Sequence, residues 1–187
     1  MSRILETIGR ECRSRGVELA PHLPLKHLAN ESSDVCLRAL RDVARAPTFD
    51  DVEAAELLRM NGDWREQFVV AMALLFRPAT DALKSALLDR LRVPSICSPQ
   101  FTCIASATGA LTIADVTRQL EERLARDVDP NDRGLVSRAL GALDACVKSE
   151  QLREASTASI DRSAYEAGAR TLLEWRARLE AALDRIS

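Results

Sequence analysis

The amino-acid sequence predicts an all-α fold on three observations. Ala, Leu, Arg and Glu, the strongest helix formers, dominate the 187 residues, while aromatic residues make up only 4 % and strand-favouring types are thin. A charge-free run from Phe68 to Phe76 breaks at Arg77-Pro78 and resumes as an amphipathic stretch to Leu91. A soluble helix that is apolar on almost every side must be covered by neighbours, so Trp64–Leu91 predicts a pair of helices folded against each other at the centre of the molecule. Similar segments also recur: CLRAL from Cys36, VAMAL from Val70, IASAT from Ile104 and VSRAL from Val136, at spacings of 34, 34 and 32 residues. Even spacing, with a turn ahead of each unit and a second helix behind it, describes a helix-pair array. The alternative is a compact irregular bundle, and either form would hold about eight or nine helices in one domain over residues 1–187.

From the N-terminus, Ile4, Leu5 and Ile8 mark a short amphipathic helix from Ser2 to about Arg13. Pro21 and Pro24 forbid a continuous helix through the next stretch, which completes residues 1–30 as an irregular connection. The repeat-like pairs occupy residues 31–149. A helix from Glu31 to Ala46, capped by Ser32 or Ser33, carries Val35, Leu37, Ala39, Leu40 and Val43 and stops at Pro47. Thr48 caps the next, Phe49 to Met60, whose first turn holds Asp50, Asp51 and Glu53, favoured there by the helix dipole; Asn61-Gly62 ends it. After the central pair comes a loop, Val93 to Pro99, and Pro99 opens a nearly uncharged helix of small residues. Thr112 and Asp115 resemble a capping box before the stripe Ile113, Val116, Leu120, Leu124. Asp129-Pro130 is an N-cap and first-turn pair for a helix through Leu135, Val136, Leu140, Leu143 and Val147. A polar linker leads to Ser159, which caps the longest helix, Ile160 to Ile186 (residues 159–186 in all).

Charge and composition narrow the function classes. Twenty-six basic residues against 28 acidic ones leave a net charge of −2, which disfavours nucleic acid as a partner. No apolar run approaches the length of a bilayer span, and the N-terminus lacks the features of a secretory signal; the expectation is a cytoplasmic protein with no membrane partner. Five scattered cysteines fit no disulfide framework. Cys36, Cys103 and Cys146 lie on apolar stretches and read as buried, while Cys97, in PSICSP, reads as the most exposed. His22 and His27 are too widely spaced from each other and from sulfur for a zinc site. Serines and aspartates follow capping logic, so no catalytic residue, cofactor or metal ligand is assigned. Trp64 and Trp175, each beside an apolar stripe, read as packing residues.

The segments Trp64–Leu91 with Ser98–Leu111, and Asp129–Val147, resemble HEAT-type repeats, and the likeness covers roughly residues 31–149. HEAT-like proteins are mostly binding scaffolds, so the resemblance implies a non-enzymatic protein-binding module. All-α proteins of this size also occur among immunity proteins that neutralise bacterial toxins and among nucleic-acid glycosylases. The sharpest expectation is an immunity protein or inhibitor that masks a basic toxin domain, with a regulatory or chaperone-type adaptor as the alternative. A HEAT-like glycosylase ranks below both, with Asp63, Trp64 and Arg65 supplying the residue types it would need. The candidate docking surface is acidic: Asp50, Asp51, Glu53, Glu56, Asp63 and Glu66 stand against Arg59 and Arg65, and complementary charge would speed capture of a basic partner.

Overall fold

The structure, a computed structural model, describes residues 2–18, 20–60, 63–110, 113–126, 129–147 and 160–187. Among them there is no strand. The helices are α1 (Arg3–Ser14), α2 (His22–His27), α3 (Glu31–Arg45), α4 (Asp51–Arg59), α5 (Trp64–Ala73), α6 (Asp81–Leu91), α7 (Ser98–Ala107), α8 (Ile113–Leu124), α9 (Pro130–Val147) and α10 (Arg162–Ile186), with a 3-10 turn over Leu74–Phe76.

Helix starts are set by side chains that accept the orphan N–H groups of the first turn. Ser2 accepts from Leu5, Asp63 from Arg65, Thr80 from Leu83, and Asp129 from Asn131 and Asp132. Three caps differ from expectation. Asn30 rather than Ser32 or Ser33 caps α3, because the Ser33 hydroxyl is donated to the Pro24 carbonyl at 2.9 Å. Asp50 rather than Thr48 caps α4, accepting from Val52 and Glu53. Asp161 caps α10, accepting from Ala164; Ser159 lies outside the described residues, as do Thr112, the Asn61-Gly62 stop and the whole polar linker. The Pro-rich connection, expected to be irregular, holds α2. Pro24 is its third residue, where no intrahelical partner for an N–H exists, so the missing donor costs nothing.

The four repeat segments lie in α3, α5, α7 and α9, and these helices touch in succession; α1 also packs on α3. α5 sits at the centre, against α1, α2, α3, α4 and α7. Residues 68–74 are all buried, with Phe68, Val70, Ala71, Met72 and Ala73 fully so, while Leu75 and Phe76 are only partly covered. Contrary to the expected hairpin, α6 does not fold back along α5 but packs mainly on α4, then on α7. The helical ladder tightens into the 3-10 turn, and Arg77 is extended, at φ −145° and ψ 155°. Arg77 is held there by the Ala44 carbonyl at 2.9 Å, by Asp51 at 2.7 Å and by the Phe49 ring at 4.5 Å. These contacts turn the chain away before α6 begins.

α10 ties the two ends of the row together. It lies along α9 and also contacts α7 and α3. At the α9 crossing Gly141 faces the Tyr165 backbone and Gly168 faces the Arg138 backbone, each so close that a Cβ would lie 2.0 Å from the opposing carbonyl oxygen. Tyr165 donates its hydroxyl to Asp144 at 2.6 Å. Midway, Trp175 is buried with its ring 6.1 Å from that of Phe68, which also meets Phe101 edge-on at 5.9 Å. At the far end Arg185 donates two hydrogen bonds to Asp34 of α3, at 2.8 and 2.9 Å, and Arg41 donates to the Ile186 carbonyl.

Candidate functional site

Most of the six acidic residues singled out from the sequence have partners within the fold. Asp50 caps α4 and also faces Arg3 at 3.7 Å. Asp51 is paired with Arg77, and Glu53 accepts the Arg3 backbone N–H at 2.7 Å, which docks the start of α1 on α4. Asp63 caps α5 and accepts from the Arg65 guanidinium at 3.1 Å. Glu56 and Glu66 are exposed. Four of the six carboxylates therefore complete the fold's own hydrogen bonds and ion pairs. Asp63 is held below the usual carboxylate range by the Arg65 backbone N–H and its guanidinium, so it stays ionised and is no store of a transferable proton.

A different group gathers at the start of α5. Trp64 is half-buried, and the Arg65 guanidinium lies 4.9 Å from its ring centre, the Lys26 ammonium 5.6 Å. His22 meets the same ring edge-on at 5.9 Å. Three residues contributed by α2 and α5 thus surround one indole, and two of them are cationic side chains over its electron-rich face. Partial burial and the neighbouring Arg65 push the His22 imidazole below its ordinary value, so it is neutral near pH 7. Leu23, next to His22, is 45 % exposed.

The loop before α7, residues 93–97, departs from its expected reading. Cys97, expected to be exposed, is fully buried. Burial raises its thiol to about 11, against the pull of Lys26, Arg90, Arg138 and Arg65, so it stays a protonated thiol. The loop closes over Arg90, itself 5 % exposed, whose guanidinium donates to the Val93 carbonyl and stacks 4.7 Å from the Phe101 ring centre. Folding over that side chain turns Cys97 inward and leaves its neighbour Ile96 outward, 49 % exposed. Tryptophan and arginine are the residue types enriched among protein-interface anchors.

Of this group, sequence reasoning read Trp64 as a packing residue, named Trp64 and Arg65 as residue types for a glycosylase and set Arg65 against the acidic cluster, and weighed His22 only as a poor zinc ligand. Lys26 was missed. The available clue was the i, i+4 spacing of His22 and Lys26, which places both on one face of a helix; it was hidden while α2 was read as irregular. Among the described residues no three His, Cys, Asp or Glu side chains come together as a metal site, and no helix is long and apolar enough to cross a membrane. Comparison with known proteins finds no family model, no curated protein and no solved structure that matches this chain.

Proposed function

We propose that this chain is a non-enzymatic protein-binding module that docks its partner at the edge around Trp64. The observation that carries the reading is the indole flanked by Lys26, Arg65 and His22. Trp and Arg are the residue types that most often anchor protein interfaces. The partner would present an acidic segment to Lys26 and Arg65, with an apolar side chain against the indole. The HEAT-like reading draws support from the succession α3, α5, α7, α9 in the packing, and it remains part of this proposal. In the version in which the module masks a basic toxin, Glu56 and Glu66 are the two residues of the acidic cluster with no side-chain ion pair or hydrogen bond among the described residues to give up.

The test is affinity capture from the native host with wild-type protein and with Lys26→Glu/Arg65→Glu, at low and high salt. A stoichiometric partner held by the wild type, lost by the charge-reversed variant and weakened by salt supports the reading. A partner retained equally by both refutes this surface. Labelled single-stranded nucleic acid bound by the wild type and released by the reversal would transfer the site to a nucleic-acid role.

A further inference from the structure

We infer that the cleft between α6 and the turn after α7 binds a small phosphate monoester, held by Arg92 and Lys84. The cleft has a volume of about 320 Å³, at the lower end of the range of about 300–1,000 Å³ for ligand sites. Its α6 wall carries Lys84, Leu88 and Arg92, which their i, i+4, i+8 spacing stacks on one face of the helix. Asp81 and Ser85 stand on the same face, both exposed. The opposite wall is Gly109 and Ala110. Gly109 has a φ of +68°, and nothing lies within 4 Å of where its Cβ would be, so a ligand meets bare backbone there. The N–H groups of Gly109 and Ala110 are spent on the Ser106 and Ala105 carbonyls, at 3.1 and 2.8 Å, in closing α7. Donors to a ligand must therefore come from α6.

Two cations supply those donors. The Lys84 ammonium makes no hydrogen bond or ion pair among the described residues. Arg92 donates through Nη1 to Asp89 at 2.6 Å, which folds it back one turn toward Lys84, while its Nε–H is buried with no hydrogen-bond partner. A buried N–H left unpaired is costly, and an acceptor in the cleft, met by a small rotation of the guanidinium, removes that cost. Asp89 is also held by Arg59 at 3.0 Å, so it keeps a partner when Arg92 turns to the ligand. The Nε and Nη2 edge of a guanidinium is a planar fork that fits two oxygens of a phosphate or carboxylate. A phosphate monoester carries close to two negative charges near neutral pH and three acceptor oxygens, enough for the fork and for the Lys84 ammonium together. A single carboxylate has the charge for one of them. Asp81, at the other end of the row, repels the phosphate toward Arg92 and accepts a hydroxyl of the esterified group.

The experiment follows the backbone amide signals of the full chain by NMR at low ionic strength while glycerol 3-phosphate, or glycerate as the carboxylate of similar size, is added. The phosphate ester should give saturable shifts at residues 84–92 and 109–110, with glycerate clearly weaker. Binding of the ester should weaken about tenfold or more in Lys84→Gln and in Arg92→Gln, each having lost a charge-assisted hydrogen bond. Arg92→Lys, which keeps the charge without the fork, should fall between wild type and Arg92→Gln. Lys84→Gln removes a side chain with no partner in the fold, so its result stands even where an Arg92 variant folds poorly. Four results would each overturn the inference: no saturable shift with the ester up to about 10 mM, glycerate binding as tightly as the ester, shifts equally large at Lys26 and Arg65, or binding unchanged in Lys84→Gln. Because this cleft lies on α6 and the turn after α7 and the docking edge on α2 and α5, either assignment can fail without the other.

Discussion

Adding one methyl group at Gly141 should loosen the α9–α10 crossing. The ideal Cβ would stand 2.0 Å from the Tyr165 carbonyl oxygen and 2.7 Å from its carbon, whereas ordinary contact begins near 3.4 Å. The obstacle is backbone, so no rotamer change relieves it, and α10 must retreat by more than an ångström. That retreat would pull Leu172 and Trp175 out of the core they now fill. Helix propensity works the other way, since Ala at an unobstructed helix position gains about 0.5–1 kcal/mol over Gly. Overpacking costs about 1–3 kcal/mol and more when the backbone must move, so the clash should outweigh the gain and leave a net loss of about 1–2 kcal/mol. In a chain of this size that lowers Tm by about 2–4 °C per kcal/mol. Urea and thermal melts of Gly141→Ala measure it, with Gly134→Ala as the control. Gly134 lies on the same helix, and its nearest neighbour to an added Cβ is Asp161 Oδ2 at 3.9 Å, so that variant should be more stable than wild type by about 0.5–1 kcal/mol. A Gly141→Ala protein as stable as Gly134→Ala would refute the close crossing.

Phe68→Ala should cost about 3–5 kcal/mol, because the ring is fully buried between Phe101 and Trp175; Leu75→Ala, at a half-covered position, should cost clearly less, and equal denaturant midpoints would contradict the burial pattern. Asp50→Ala should lose about 0.5–2 kcal/mol through the α4 cap it removes, so Asp50→Lys is not neutral for folding, and a melt unchanged by either substitution would deny Asp50 that role. The folded-state value of His22 is depressed from 6.5, so the unfolded chain takes up the proton first as pH falls. The His22 contribution to stability is then lost progressively below about pH 6.5 until the folded-state value is passed. Stability curves from pH 7.5 to 5 should show that decline in the wild type and a shallower one in His22→Gln; identical slopes would remove His22 as the source.

Much of the local structure was legible because its causes are local. Asp129-Pro130 opens α9 as its residue types require, since an Asp side chain reaches only the N–H groups two and three residues on. The same locality explains the near misses. Around the start of α3, Asn30, Ser32 and Ser33 are all competent caps, and the choice fell to Asn30 because Ser33 was drawn to Pro24. The burial of Phe68 followed from a run with no charge in it. The acidic residues were harder. A carboxylate in a first helical turn looks the same whether it faces solvent, caps its own helix or pairs with a distant arginine, and only the position of Arg77 shows that Asp51 is taken. Cys97 misled for a related reason: a proline-flanked loop reads as surface, but this one folds over the buried Arg90 and turns its thiol inward.

By itself the sequence determined the all-α class, the extent of most helices, and the recurrence that places α3, α5, α7 and α9 in one row. Propensity, capping and periodicity act over a few residues and are written in consecutive letters. Only the tertiary structure decided that α6 leaves α5 for α4, that α10 runs from α9 to α3, and that two helical glycines mark where α9 and α10 meet. It alone brought His22 and Lys26 to Trp64, and Cys146 to Arg176. Those outcomes depend on partners far apart along the chain, as with Asp34 and Arg185, separated by 151 positions. No local pattern encodes such a pairing, because it exists only once the helices between have packed.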